Sequence, residues 1–265
     1  MSVYHGDNAA YFKEAIDSLY AQTRLPDEIV LVVDGPVGEE INRVISEFES
    51  SYDSFKVVRL EKNYGHATAR QTGLDTARYE YIAIMDSDDL AMPNRFEKQM
   101  AYIETYPEVD ALGGQIDEFI SEPSNVVGTR IVPQSDAEIK AYLKSRCPMN
   151  LVTVMLKKES AQKAGGYIDW YCEEDYYLWV RMAEQGMMFA NLPNNLVNVR
   201  VGKEMYQRRG GMKYFKSEAK LQKYMWNKGI TTFPKFCYNV LIRFVIQVLM
   251  PNKFRGLVFR KFARN

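Results

Sequence analysis

Cysteine is sparse and poorly placed for pairing. Cys147, Cys172 and Cys237 are odd in number, widely spaced and form no Cys-x-x-Cys. That argues against a disulfide framework or a cysteine zinc site and predicts a reducing, cytoplasmic setting. No apolar run is long enough to span a bilayer, and the start does not read as a signal peptide. Internal repeats and low-complexity stretches are also missing. The last quarter lacks acid: residues 200–265 hold 2 of the 34 Asp and Glu but 16 of the 34 Lys and Arg. A formal net charge of zero therefore hides an acidic body and a basic tail, which suits phosphate groups or an anionic membrane surface as partner. No recognition motif points to nucleic acid, and none is expected as a partner.

The 265 residues suffice for one large domain, or one domain with an extension. Apolar strand-like runs at Glu28–Val33, Phe55–Leu60 and Tyr81–Met85 alternate with helical patterns, such as Phe12, Ile16, Leu19 and Ile41, Val44, Ile45, Phe48. Met1–Tyr4 reads as the end of a strand whose beginning is missing or very short. Asp7 or Asn8 can cap the first helix. The alternation predicts an α/β fold with a mostly parallel sheet flanked by helices. Further strands are expected over Val109–Ile120, Leu151–Leu156, Met188–Leu192 and Leu196–Val201. Ser135–Glu138 is a capping-box pattern, and helices are expected over Met212–Asn227 and Phe233–Met250.

Chemistry concentrates where the Tyr81–Met85 strand runs into Asp86-Ser87-Asp88-Asp89. Ligands in open α/β sheets bind outside the carboxyl ends of strands. Carboxylates this close repel unless a cation or donors neutralise them. Asp-x-Asp sets two side chains on one side of an extended backbone, where they can share a hard divalent ion. Turn formation and helix capping are the competing reading. Leu90-Ala91-Met92-Pro93 is expected to open a helix, and Asp89 fits a cap alone. An EF-hand is ruled out because Ala91 stands where that loop needs glycine. Asp34 also ends a strand, and Arg70 lies on the helix before the Asp86 strand; base and ribose recognition and a surface ion pair both remain open. A second cluster, Glu173-Glu174-Asp175, sits at a helix start. There it serves either as favourable charge at the dipole or as the source of a general base.

The chain resembles a family 2 glycosyltransferase of the GT-A fold over about residues 1–205. The landmarks are Ser2-Val3-Tyr4, Ala15–Leu19 with Gln22-Thr23, Val32-Val33-Asp34-Gly35, and Asn63-Tyr64-Gly65 with Ala69–Leu74. They continue with Met85–Asp89, Gly165-Gly166-Tyr167 and Glu174–Arg181. The resemblance implies inverting transfer of a sugar from a nucleotide-diphosphate donor to an acceptor hydroxyl, with Mg2+ or Mn2+, as in bacterial surface-polysaccharide assembly. It also implies that Ser2, Tyr4, Asp34 and Arg70 hold the nucleobase and that Asp86 holds the ribose or shares the metal. Asp88 would bind the metal at the diphosphate, and Asp175 would deprotonate the acceptor. Glu174 and Trp179 would line the acceptor side. Val33 stands where many members carry a further Asp, and no histidine follows His66. The alternatives are a sugar nucleotidyltransferase, for which no basic Gly-rich phosphate loop is found near residue 1, and a non-catalytic membrane-surface binding module.

Residues 206–265 form the expected basic, amphipathic helical extension. Arg200, Arg208 and Arg209 beside Gly210-Gly211 are expected to close over the diphosphate as a lid; a solvated linker is the other reading. Segment 233–250 carries Lys235, Arg243 and Gln247 and is followed by a basic run at 253–264. That pattern predicts either a helix lying at an anionic membrane surface or one docked on the acidic body. The membrane reading is preferred. It places the protein peripherally at the inner face of the cell membrane and makes the saccharide acceptor lipid-linked.

Overall fold

The computed structural model describes residues 1–202 and 210–250. Three parallel strands open it, β1 (Ser2–Val3), β2 (Ile29–Val33) and β3 (Phe55–Arg59), lying side by side in that order. Every position of β2 is Ile, Val or Leu, the composition of a strand covered on both faces. The connections are α1 (Ala9–Tyr20) and α2 (Glu39–Ser51), with α3 (His66–Thr76) following β3. Asn8, not Asp7, caps α1: its side chain accepts from the Ala10 and Tyr11 N–H groups. Gly35 closes β2 at φ +87°, and a Cβ there would stand 2.5 Å from the Asn63 backbone nitrogen. Only glycine fits so tight a turn beside Asp34.

From β4 (Tyr81–Ala83) onward the strands form a second, mixed sheet. It contains β5 (Leu90–Ala91), β6 (Ala111–Phe119), β7 (Val126–Arg130), β8 (Met155–Lys157) and β9 (Phe189–Arg200). The spatial order is 4-8-6-9-5, with β7 forming a hairpin on β6. Strands β6 and β9 run parallel, while β4–β8, β5–β9 and β6–β8 are antiparallel. Helices α4 (Arg95–Thr105), α5 (Asp136–Leu143), α6 (Lys158–Lys163) and α7 (Glu174–Glu184) cover it. The capping box at Ser135 and Glu138 is formed as expected.

Four local expectations change; in the first, the strand expected over Leu151–Leu156 is a 3-10 turn at Leu151–Thr153 followed by β8. Leu90–Ala91 does not open a helix; it pairs with Asn198–Val197 as β5, and the helix starts at Arg95. The Ala91 N–H donates to Ser18 Oγ and the Met92 N–H to the Leu196 C=O, so both are committed to distant partners. The runs at Met188–Leu192 and Leu196–Val201 are one strand, β9. Its pairing with β6 slips between Asn191 and Asn195, around Pro193, which has no N–H for the ladder. The hairpin strand β7 was not anticipated.

Two apolar clusters hold the fold. One joins Phe12, Ile16, Leu31 and Ile45 to Leu112, Ile116 and Leu196. The other joins Leu143, Met149, Trp179 and Phe189 to Leu221 and Met225. The last two side chains belong to α8 (Met212–Asn227), which is followed by α9 (Phe233–Phe244) and a single π turn, Val245–Leu249. Helix α8 is thus part of the packed body, so the division drawn at 205/206 is not a break in the core.

Candidate active site

Strand ends and helix starts supply the site. Asp34 follows β2 and is 5 % exposed. Its two carboxylate oxygens accept the Tyr64 N–H (2.7 Å) and Gly65 N–H (2.9 Å), so it fixes the turn that opens α3. Ser2 and Tyr4 stand on the neighbouring strand end, where the Val3 C=O accepts the Asp34 N–H at 2.8 Å. The Tyr4 N–H donates to Asp7 Oδ2 at 3.1 Å, and its ring meets His5 edge-on with centroids 5.1 Å apart.

Arg70, on α3, joins the two acidic clusters. One guanidinium nitrogen lies 3.2 Å from Asp86 Oδ1 and the other 2.7 Å from Glu174 Oε1. The Arg70 and Glu174 side chains are 11 % and 12 % exposed, whereas Asp86 remains 37 % exposed. Asp86 and Asp88 follow β4, and Asp7 stands beside them, accepting from Ser87 Oγ at 2.9 Å. Burial, then the charges of Asp86 and Asp7, push the Asp88 carboxyl up to about 6. Asp89 is buried and is raised well above the ordinary range by that burial, then by the charges of Asp88 and Asp86. The Arg200 N–H donates to it at 2.8 Å. Asp89 therefore ties its loop to β9 and does not cap a helix. Below the loop, fully buried Arg95 donates to the Ile84 C=O (2.9 Å) and Gln99 Oε1 (3.1 Å). Burial lowers its guanidinium to about 9.

At the start of α7, Asp175 Oδ1 accepts the adjacent Tyr176 N–H at 2.7 Å, and no hydrogen bond to its other oxygen is found among the described residues. Glu174 is raised by burial and by Asp175, against the pull of Arg70. Glu173 turns inward, 4 % exposed, and is held well above the usual range by burial, Glu218 and Asp175. A cavity of about 330 Å³ lies behind the carboxylates, between β2 and β4, lined by Ile29, Val30, Ile82 and Met85. Ser2 and Arg70 also line it, whereas Asp86, Asp88, Glu174 and Asp175 do not.

Two expectations need correction. Trp179 does not line an open acceptor side; it is fully buried, on the α7 face with Tyr176 and Val180, because positions three and four apart share that inward stripe. Arg200 is not a loop residue. Its guanidinium is held by the Asp88 C=O (3.1 Å), the Ser121 C=O (3.0 Å) and Glu14 (2.6 Å), and it stacks over Tyr11. Arg208 and Arg209, the rest of the expected lid, and the basic run 253–264 lie outside the described residues. Asp7 was read only as a possible helix cap. Asp7 follows β1 just as Asp34 follows β2, and that position was its signal. His66 opens α3, and its charge is felt at both Asp7 and Glu174.

Among the described residues no three Asp, Glu, His or Cys groups form a ready metal shell. The donor set still suits a hard divalent ion. Asp86 and Asp88 offer oxygen, and Asp88 sits in an excess of negative charge that a cation would relieve. One or two carboxylates completed by substrate phosphates is the usual way Mg2+ is held.

Comparison with known proteins agrees with this geometry. The description "Glycosyl transferase family 2" matches residues 1–163. An uncharacterized glycosyltransferase of Haemophilus influenzae is 40 % identical over 264 residues, covering 100 % of this chain and 97 % of that protein. The Escherichia coli UDP-Gal:alpha-D-GlcNAc-diphosphoundecaprenol beta-1,3-galactosyltransferase is 33 % identical over 264 residues, covering 100 % and 95 %. The amylovoran biosynthesis glycosyltransferase AmsE of Erwinia amylovora is 34 % identical over 261 residues, covering 98 % and 97 %. Among solved structures, S. aureus TarS 1-349 with UDP-GlcNAc superposes with a TM-score of 0.68 at 16 % identity, over 99 % of this chain and 75 % of that one. The mannosyltransferase PcManGT of Pyrobaculum calidifontis, with GDP-Man and Mn2+, gives 0.61 at 16 % identity, over 96 % and 70 %. Matched over more than half its length and related end to end to named glycosyltransferases, the chain belongs to glycosyl transferase family 2.

Proposed function

We propose that this glycosyltransferase moves a sugar, with inversion, from a nucleoside-diphosphate donor to a hydroxyl of a lipid-linked saccharide in surface-polysaccharide synthesis. The observation that carries the proposal is the Arg70 bridge, which brings Asp86 and Glu174 to one guanidinium. The Asp86–Asp88 strand end and the Glu174–Asp175 helix start thereby face one reaction centre.

Asp175 is the base. Glu174 is engaged by Arg70, while Asp175 has an oxygen that takes no hydrogen bond among the described residues. The acceptor hydroxyl loses its proton to Asp175 as its oxygen bonds to the anomeric carbon. The bond from that carbon to the diphosphate breaks on the opposite face, inverting the centre. Mg2+ or Mn2+ held by Asp88 with Asp86 would supply charge neutralisation at the leaving diphosphate. Ser2, Tyr4, Asp34 and Arg70 line the nucleobase side, and each oxygen of Asp34 keeps a further acceptor position beyond its backbone bond. The lipid-linked acceptor is supported by the diphosphoundecaprenol substrate in the name of the E. coli relative, and it sets the place of work at a membrane surface.

The test is incubation of the purified chain with a panel of UDP and GDP sugars and a saccharide-diphosphate-lipid acceptor analogue. Donor-specific transfer, suppressed by a chelator and giving the inverted anomer, is expected. Transfer with retention overturns the single displacement, and undiminished transfer in chelator overturns the metal assignment.

A further inference from the structure

Helix α9 and the π turn that continues it are turned inside out. From Phe233 to Leu249 the fully buried residues are both polar, Asn239 and Gln247. Asn239 Nδ2 donates to the Lys144 C=O (2.8 Å) and Gln222 Oε1 (2.7 Å). Arg243 donates to the Ser145 C=O at 2.5 Å and pairs with Glu218 at 3.0 Å. The Gln247 side chain also donates to Glu218, and the Gln247 backbone C=O accepts the Gly211 N–H at 2.9 Å. Positions 239, 243 and 247 are four apart and make a single stripe, which faces the body.

The outward stripe is apolar. Tyr238, Leu241 and Leu249 are 58, 64 and 61 % exposed, and Phe233, Ile242 and Val245 are exposed beside them. A helix on the surface of a water-soluble protein has the opposite arrangement. An apolar stripe of this kind marks a surface that something covers. Arg243 and Gln247 therefore do not interrupt an apolar helix; they attach it, and so leave its apolar side free.

We propose that the Tyr238–Leu241–Val245–Leu249 face docks on an anionic phospholipid bilayer, with α9 lying in the plane of the headgroups. The surrounding charge selects this occupant. Lys213, Lys216, Lys220 and Lys223 of α8 are exposed, and neither helix exposes an acid, since Glu218 is held by Arg243 and Gln247. Lys216 and Lys223 each follow a residue that touches α9 (Phe215 and Gln222). They stand about 100° further round α8, beside the apolar face. Trp226 packs on Phe233 and Phe236, with centroids 5.2 and 5.3 Å apart, and is itself part-exposed. Aromatic rings of this kind settle at the headgroup level. None of the described helices is long and apolar enough to cross a membrane, so the helix lies on the surface. A second copy of this chain is a poorer occupant, because the same lysines would face each other across a two-fold contact.

The biological purpose of this face rests on the lipid-linked acceptor proposed above. The test keeps the two apart. Flotation of the full chain with vesicles of phosphatidylglycerol and phosphatidylcholine is compared with flotation on phosphatidylcholine alone, for the native protein and for Leu241→Glu/Leu249→Glu. The native chain is expected to float with the anionic vesicles, and less at high salt. The double variant should bind at least tenfold more weakly while keeping the native melting curve and transfer to a short, water-soluble acceptor. Equal flotation of both proteins, or failure of the native chain to float, overturns the proposal. So does a native dimer, seen by sedimentation velocity without lipid, that the double variant makes monomeric. Flotation without transfer to any acceptor would instead remove the transferase reading and leave the docking face standing.

Discussion

A guanidinium that donates to carboxylates on two elements cannot become a point charge without releasing one of them. Arg70→Lys is therefore expected to keep the local charge but lose either Asp86 or Glu174, lowering kcat/KM at least tenfold. Arg70→Ala leaves Glu174, 12 % exposed, without its ion partner. That should cost about 3 kcal/mol of stability, the low end for breaking a buried pair, measurable by urea denaturation. A melting curve unchanged in both variants would mean that the bridge holds nothing. Asp175→Asn should lower turnover by about 10²-fold or more with donor affinity unchanged in a calorimetric titration. If Glu174→Gln is the dead variant and Asp175→Asn is active, the base is one residue earlier. Asp88→Asn removes the charge and keeps the shape, so donor binding should cease to respond to added Mg2+ or Mn2+; a preserved response moves the ion elsewhere.

Helix α7 carries the proposed base in its first turn, and the residue before it, Glu173, anchors that turn in the interior. Burial first, then Glu218 and Asp175, hold the Glu173 carboxyl well above its ordinary 4.5. The folded state thus binds this proton more tightly than the unfolded chain does. The stabilisation is fully present below about 4.5 and is lost as pH rises toward the folded value. Glu173→Gln keeps the neutral shape at every pH. It is expected to raise Tm by about 2–4 °C at pH 8, the shift for roughly 1 kcal/mol in a chain of this size, and to leave it unchanged at pH 4. A variant less stable at both pH values would show that the charged form is the one the fold prefers. Elements like α7 were legible in sequence because capping and a 3.6-residue period are local; the expected helix Met212–Asn227 is α8 to the residue. The two-residue strand β5 was not, since so short a run has no period and exists through Ser18 and β9. The site divided the same way. Asp34, Asp86 and Asp88 were visible as strand ends, whereas the inward turn of Trp179 and the pinning of Arg200 depend on partners far away in the chain.

At the scale of the whole molecule, the basic segment after β9 is two different things, and one pair of substitutions separates them. Leu221 and Met225 of α8 are 1 % and 0 % exposed, packed in the cluster that holds Trp170, Trp179 and Phe189. That cluster supports α7, so α8 belongs to the catalytic body by packing, whatever its charge. Helix α9 is attached by the polar stripe of Asn239, Arg243 and Gln247, and its largest apolar side chains touch water. Leu221→Ala removes three buried carbons and leaves a cavity, so it is expected to cost about 2–4 kcal/mol. Leu241→Ala removes exposed surface and should stay within about 0.5 kcal/mol. Urea denaturation of the two variants measures both in one experiment, provided the m-value stays that of the native chain. Equal, large losses would place α9 in the core beside α8 and take away its free apolar face. A small loss at Leu221 would detach α8 from the catalytic body and restore a boundary near residue 205. The expected split, a costly Leu221 and a neutral Leu241, means that the body ends at α8 and that α9 is selected for what it meets outside the protein.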